Sequence, residues 1–329
     1  MRIRVLGGGW YGSHISLALK RRGHDVELHE VADHLFAGAS GANPARLHLG
    51  FHYPRSKLTR AACQDHQAMF MERYGFLTRS VQVNIYAVAE HDSQVDFGTY
   101  CQVLRGEVEF VNVVKPSEFG LKGVEGALLT GERHIVIDGA IVYFEKELAD
   151  IAKFMVHPEQ SFDGDYDFTI DCTFCASDTE NIDRYEPCVM GLMDGPTARA
   201  ITIMDGPFPS IYPWNIDRRL CSITSASLTP LSKSCKTYEE AQFLLKRTVS
   251  AEFYDRVHAM MEQMSCYLDG MNRYKVVDYR TGIRAMPKSA ADARLVDVAR
   301  VGERRLRVRA GKIDAIFHAE KMVCEMIGA

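Results

Sequence analysis

The sequence predicts an α/β fold in which a doubly wound, parallel-sheet domain is interrupted by an inserted, β-rich α+β domain. Three observations predict it. The chain opens with an apolar strand that runs into Gly7-Gly8-Gly9-Trp10-Tyr11-Gly12, followed by a helical run and a second short strand that ends at Glu30. A β-rich middle follows, with short apolar stretches broken by Gly and Pro between residues 186 and 229. The chain then returns to a strand at 306–310 and a last helix from Gly311 to Ile327.

The opening strand, turn, helix and strand are the most specific part. Gly7, Gly9 and Gly12 stand in G-x-G-x-x-G spacing, the dinucleotide-binding fingerprint of a Rossmann-like domain. Gly7 lets the chain turn tightly, Gly9 lets backbone approach a pyrophosphate, and Gly12 lets the helix pack on the strand. Trp10 and Tyr11 lie inside this turn and are cofactor-side candidates. The helix start offers unpaired N–H groups and a positive dipole end to phosphates. Lys20, Arg21, Arg22 and Gly23 close the helix with cations and a glycine cap. A carboxylate at Glu30 would accept hydrogen bonds from ribose hydroxyls and repel a 2′-phosphate. FAD or NAD is therefore expected rather than NADP.

The other elements follow in order. Residues 32–60 lack clean periodicity and are rich in Gly, Ser, Asn, Arg and His, which marks a functional loop. Apolar spacing predicts a helix over 59–75 and strands over Val81–Ala89 and Val108–Val114. Ile135–Gly139 reads as a strand and turn before a helix through about Phe154, and Asp167–Cys172 as a buried strand. Ala241, Leu244, Leu245, Val249, Phe253 and Val257 predict one long helix over 237–265. The resulting division assigns 1–75, 135–180 and 278–329 to the dinucleotide domain. It leaves 76–134 and 181–277 to the inserted, substrate-binding domain.

Composition bounds the class. The 329 residues are 47% hydrophobic and 25% charged, values of an ordinary globular enzyme. A net charge of −4 predicts no general attraction to nucleic acid or membranes. No apolar run is long enough to span a bilayer. The chain enters a strand at once, without a signal peptide, and its nine cysteines are scattered, so a cytoplasmic location is expected. From Arg280 to Lys312 there are ten Lys and Arg against three Asp and Glu, either a solvated face or a positive wall near an anionic ligand.

Several further segments line up with one family. The chain resembles the D-amino-acid oxidase and glycine oxidase (DAO) family of FAD-dependent oxidoreductases, in a small and poorly characterised branch. Ala39-Ser-Gly-Ala-Asn-Pro-Ala-Arg-Leu-His-Leu-Gly-Phe-His-Tyr-Pro54 is similar to the family's flavin-contacting loop. Ile137-Asp-Gly139, Tyr166–Thr173, Tyr279–Arg284 and Gly311–Ala315 resemble its later cofactor and substrate segments. The glycine that the family carries after the Asp171 strand is absent, since this chain reads Cys172-Thr-Phe-Cys-Ala-Ser. The resemblance implies a discontinuous FAD-binding domain, with Val156, Thr173, Gly311, Lys312 and Ile313 beside the cofactor. It implies a flavin reduced by the substrate itself, as in an oxidase or dehydrogenase, rather than an NAD(P)H-driven monooxygenase.

Ser40, Asn43 and Arg46, with Leu47 and His48, could hold phosphate, ribitol or flavin carbonyls, or could simply form a capped turn. Arg46 would favour the anionic reduced flavin. His48 and His52 are four apart, but Gly50 and Pro54 argue against a helix and no third ligand stands nearby, so no metal is expected. His52 and Tyr53 could face the flavin or substrate, with His52 as a proton acceptor. The resemblance makes Arg284 the anchor of a substrate carboxylate. Tyr212 either lines the pocket or fills a core. The Cys172 and Cys175 pair reads as packing, because it follows a strand rather than opening a helix.

The expected function is oxidation of a C–N or C–O bond in a small, polar, anionic substrate, with hydride passing to FAD and then to molecular oxygen or another electron acceptor. Two alternatives stand beside it: an NAD-dependent dehydrogenase using only the first fingerprint, and a non-catalytic dinucleotide-binding protein in a pathway complex. A flavin spectrum separates the first, and substrate-dependent bleaching the second.

Overall fold

Two sheets organise the computed structural model, which describes residues 1–108, 112–157, 165–174, 182–288 and 296–329. The first has six strands, in the order Asp297–Gly302, Arg305–Arg309, Phe168–Asp171, Arg2–Leu6, Asp25–His29 and Ala152–Lys153. All neighbours are parallel except the first pair. Ile3, Val5, Leu28 and Ile170 are fully buried in it, as apolar residues of a strand covered on both faces should be. The helix Trp10–Arg21 packs Ile15, Leu17 and Leu19 into the same core, with Phe70, Phe144 and Phe317 from the helices Lys57–Tyr74, Ile137–Glu147 and Ile316–Ile327.

The second sheet has eight strands, in the order Lys275–Pro287, Ile182–Asp194, Leu220–Ser225, Pro209–Asn215, Arg199–Met204, Val83–Ala89, Val124–Leu129 and Asn112–Val114. Its two faces differ. Ile85, Ala87, Val189, Ile201, Ile203, Ile211 and Ile223 point one way and pack under Phe253, Val257, Met260 and Met264 of the helix Ser250–Ser265. Asn84, Tyr86, Glu186, Thr202, Ser210, Tyr212 and Arg284 alternate to the other side. A third, three-stranded sheet of Arg46–Leu47, Arg133–Ile135 and Thr78–Ser80 joins the loop that precedes Arg46 to the approach to this polar face.

Several elements differ from expectation. The long helix over 237–265 is two helices, Tyr238–Arg247 and Ser250–Ser265. Thr248 and Val249 are extended between them, and the Thr248 hydroxyl donates to the Leu244 carbonyl at 2.8 Å, a local bond that competes with helix propagation. The helix begun at Ile137 ends at Glu147 instead of about Phe154, because Ala152 and Lys153 pair with Leu28 and His29 as a sheet edge. The last helix is preceded by a 3₁₀ turn over Ile313–Ala315. Residues 278–287, which the sequence assigned to the first domain, run in the eight-stranded sheet along Ile182–Asp194. Cys175 lies outside the described residues. Among the described residues, no helix is long and apolar enough to cross a membrane.

One polar knot fixes three helices of the first domain. Glu320 is 7% exposed and meets His14 Nε2 at 2.9 Å, Arg22 Nη2 at 3.0 Å and Arg73 Nη1 at 2.8 Å. Burial pulls the His14 pKa below its ordinary 6.5. Burial alone would raise Glu320, but His14, Arg73 and Arg22 hold it below the usual 4.5. Both shifts have the same consequence, since the unfolded chain binds these protons first. Stability is therefore lost as pH falls below 6.5, and further below 4.5. Glu320→Ala removes the carboxylate that joins the three helices and should cost about 2 kcal/mol in urea unfolding at pH 7, with the further loss of stability below pH 4.5 diminished. An unchanged midpoint and an unchanged pH profile would remove the knot from the account.

Candidate functional site

The fingerprint turn is held by contacts only glycine permits. Gly7 has φ +92°, and a Cβ there would lie 2.9 Å from the Cys172 carbonyl oxygen. A Cβ on Gly12 would lie 1.8 Å from the Gly7 carbonyl oxygen, so helix and turn touch through backbone. Glu30 ends its strand as expected. Its carboxylate accepts from Gly8 N–H at 2.6 Å and Ala32 N–H at 2.9 Å, while Val156 N–H donates to its carbonyl at 3.0 Å. Thr173 borders the turn from the opposite strand end, bonding Asp171 through its N–H and hydroxyl.

Some candidates have structural tasks as well. The Trp10 ring is core, at 4.9 Å from Phe36 and 5.7 Å from Phe70 and Phe144, and only its backbone N–H meets the loop, donating to Ser40 Oγ at 2.9 Å. Asn43 locks its own loop, donating to the Ser40 carbonyl at 2.6 Å and accepting from Ala45 N–H at 2.8 Å. Leu47 is fully buried in the core. Tyr11 connects the fingerprint helix to the final loop: its hydroxyl donates to the Lys312 carbonyl at 2.6 Å and accepts from Gly311 N–H at 3.1 Å. Ile313 packs against the same core.

From that loop a wall of polar and aromatic side chains continues. Lys312 Nζ lies 4.6 Å above the Tyr53 ring and donates to Cys63 Sγ. Burial would lower its pKa, but Asp314, Tyr53 and Cys63 outweigh this and keep it cationic. Burial pushes the Cys63 thiol up to about 12, so it stays protonated beside the lysine. Tyr53 is 5.4 Å from His52 and 5.6 Å from His48 between ring centroids. His52 is exposed at the rim.

His48 Nδ1 lies 3.6 Å from Glu132, which sequence reading missed. Glu132 is 1% exposed. It accepts from the Tyr86 hydroxyl at 2.5 Å and from Leu49 N–H at 2.7 Å. Burial favours its neutral form, yet His48, Tyr86 and Leu49 together hold the pKa below the ordinary value, so the carboxylate is ionised. Its place in a loop after Gly131 carries no sequence sign of burial.

Arg46 and Tyr212 meet each other rather than an open pocket. Arg46 reaches across to the polar face of the eight-stranded sheet, where Nη1 donates to Thr202 Oγ1 at 2.8 Å and Nη2 to Ser210 Oγ. Its guanidinium lies 4.6 Å above the Tyr212 ring. Tyr212 is fully buried, and its hydroxyl donates to the Arg133 carbonyl at 3.1 Å while accepting from Asn84 at 3.3 Å. Arg284 sits farther along the same face, with Nη2 donating to Glu186 at 2.6 Å. Gly282 brings that strand against the cofactor loop, since a Cβ there would lie 3.3 Å from the Ala42 Cβ. Among the described residues, no three His, Cys, Asp or Glu side chains could hold a metal ion.

These residues fit a bound dinucleotide. The helix Trp10–Arg21 has neither a side-chain cap from Gly9 nor an acidic residue in its first turn, which leaves its positive end to an anion. Buried Arg46 Nε and Asp314 carry polar atoms without hydrogen-bond partners among the described residues. The class this defines is a DAO-type FAD-binding fold. Glycine oxidase from Geobacillus kaustophilus superposes with a TM-score of 0.71 at 14% identity, covering 99% of this chain and 94% of that one. L-proline dehydrogenase from P. horikoshii gives 0.68 at 12%, covering 99% and 92%.

No family model matches the chain. It is 32% identical to FAD-dependent monooxygenase FPY4 of Fusarium mangiferae over 98% of this chain and 90% of the relative. It is 28% identical to FAD-dependent monooxygenase kojA of Aspergillus flavus over 89% and 78%. The chain belongs to this family of FAD-dependent oxidoreductases. FAD is its cofactor, which displaces the NAD-dependent alternative, and it is an enzyme.

A Cβ on Gly9 would sit 2.7 Å from Ser40 Oγ, where backbone and loop converge. Gly9→Ala should therefore give a folded protein with much less retained FAD, read as the 450 to 280 nm absorbance ratio after gel filtration. Full FAD content with an unchanged circular dichroism spectrum would contradict this use of the turn.

Proposed function

We propose that the protein oxidises a C–N or C–O bond of a small polar molecule, with the six-stranded sheet as FAD-binding domain and the eight-stranded sheet as substrate domain. The observation that carries this reading is the ionised, buried Glu132 behind His48, placed on the same wall as Lys312 and Tyr53. Gly7, Gly9, Gly12, Glu30, Val156 and Thr173 would hold the ADP half. The segment Ser40–His48 and Gly311, Lys312 and Ile313 would hold the flavin half. Bound FAD would supply a two-electron acceptor for the hydride of the substrate carbon, with molecular oxygen or another acceptor as the final oxidant.

The chain's own groups handle the proton. As a hydride leaves carbon, the adjoining O–H or N–H must lose its proton to a base. His52 is the base expected from the sequence, but His48 is the better placed, because the buried Glu132 carboxylate lies 3.6 Å behind its Nδ1. His52 and Tyr53 would then shape the rim. Lys312 and Arg46 bring positive charge to the region where electrons accumulate. Similarity to proteins named glycine oxidase, iminodiacetate oxidase and L-proline dehydrogenase supports oxidation of a C–N bond.

A second reading has its own support: the relatives FPY4 and kojA are named monooxygenases. The two readings differ in what reduces the flavin. Anaerobic mixing with a panel of amines, amino acids and alcohols should bleach the 450 nm band under the first. Bleaching by NADPH, with none by any panel member, would establish the second. Once a reducing substrate is found, His48→Gln should slow bleaching by about 10²-fold or more, while His52→Gln has a smaller effect. The reverse order would return the base role to His52.

A further inference from the structure

The expected carboxylate anchor is already occupied from within. Glu186 is 1% exposed and accepts from Arg284 Nη2 at 2.6 Å and from Arg184 Nε at 2.9 Å. Arg184 Nη1 also donates to Asp183 at 2.9 Å. Two guanidinium groups and two carboxylates cancel in formal charge. Lys236 lies 3.8 Å from Asp183, but on the exposed edge where water and salt screen it. Glu186 and Arg284 are direct cross-strand partners, so the pairing is set by sheet register rather than by a flexible side chain alone.

This pair faces the cofactor side of the sheet. Gly282, two residues before Arg284 on the same face, abuts Ala39 and Ala42 of the loop whose Ser40 accepts the Trp10 N–H. A substrate carboxylate approaching Arg284 would meet a neutralised guanidinium with Glu186 beside it, and like charges repel strongly away from bulk water. Nη2 already donates one of its two N–H groups to Glu186, so one of the two two-point modes of guanidinium–carboxylate pairing is taken from within. Arg284 Nε is buried without a hydrogen-bond partner among the described residues. A single N–H of this kind suits one neutral oxygen acceptor.

We propose that the site takes a substrate that is uncharged where it meets Arg284, presenting a hydroxyl or carbonyl oxygen, and that Glu186 is the specificity residue that turns carboxylates away. This deepens, and rests on, the FAD-dependent oxidation proposed above. It replaces the anionic substrate expected from Arg284 alone.

The test uses FAD-loaded protein, benzoate as a carboxylate probe, and the flavin difference spectrum as readout. The wild type should show no saturable change at millimolar benzoate. Glu186→Gln keeps the shape and removes the charge, and should gain a benzoate-dependent change with affinity tighter by about tenfold or more. The double variant Glu186→Gln with Arg284→Met should lose that gain. A saturable change in the wild type that Arg284→Met abolishes would overturn the proposal, as would an FAD-retaining Glu186→Gln that stays silent. Should Glu186→Gln fail to fold, the wild type and Arg284→Met still decide: silence in both supports the proposal, and a response lost only in Arg284→Met defeats it. Purified protein without flavin would instead defeat the underlying reading.

Discussion

The buried Arg46 guanidinium ties the cofactor loop to the second sheet, and the geometry of the site depends on that tie. Its charge is removed from water without a carboxylate partner among the described residues. Isolated burial of such a charge would cost several kcal/mol. Two hydroxyls and the face of Tyr212 offset this, the ring contact by about 2 kcal/mol where water is excluded. Tyr212 must therefore be flat and immobile, which its bonds to Arg133 and Asn84 ensure. Asn84 also donates to the Glu132 carbonyl at 3.0 Å, so the cation and the carboxylate of the site are braced by one side chain.

The two halves of the cofactor site obey different physics. At the glycine turn the constraints fall on backbone, which is why they appear as glycines and one acid. At the far end side chains from both sheets converge, and charge matters more than shape. Lys312 is held cationic and Glu132 ionised, while Arg284 is cancelled by Glu186. Under the proposed function, such an arrangement would favour negative charge developing at the cofactor without offering a general anion site for substrates.

This difference explains what was legible in the sequence. Gly7, Gly12 and Glu30 act through spacing along one chain segment, so a reader of the sequence finds them directly. The alternation over Val81–Ala89 announces a strand but not that Asn84 and Tyr86 face the Arg46 loop. Glu132 and Glu186 were invisible because their burial arises from strands distant in sequence. The sequence marks Arg46 as a cofactor candidate and leaves Tyr212 between pocket and core. Only the packing of one sheet on the other shows that they bind each other. The helix over 237–265 failed at Thr248 and Val249, where periodicity continued and local bonding did not.

Under the proposed function, FAD stretches from the glycine turn to the seam between the Arg46 segment and the Lys312 loop. Hydrogen–deuterium exchange of the FAD-loaded against the FAD-depleted protein tests it most directly. Protection should appear in three separated segments: residues 7–12, residues 40–48 and residues 311–316. Protection confined to residues 7–12 and the neighbourhood of Glu30, with the other two segments unchanged, would contradict it.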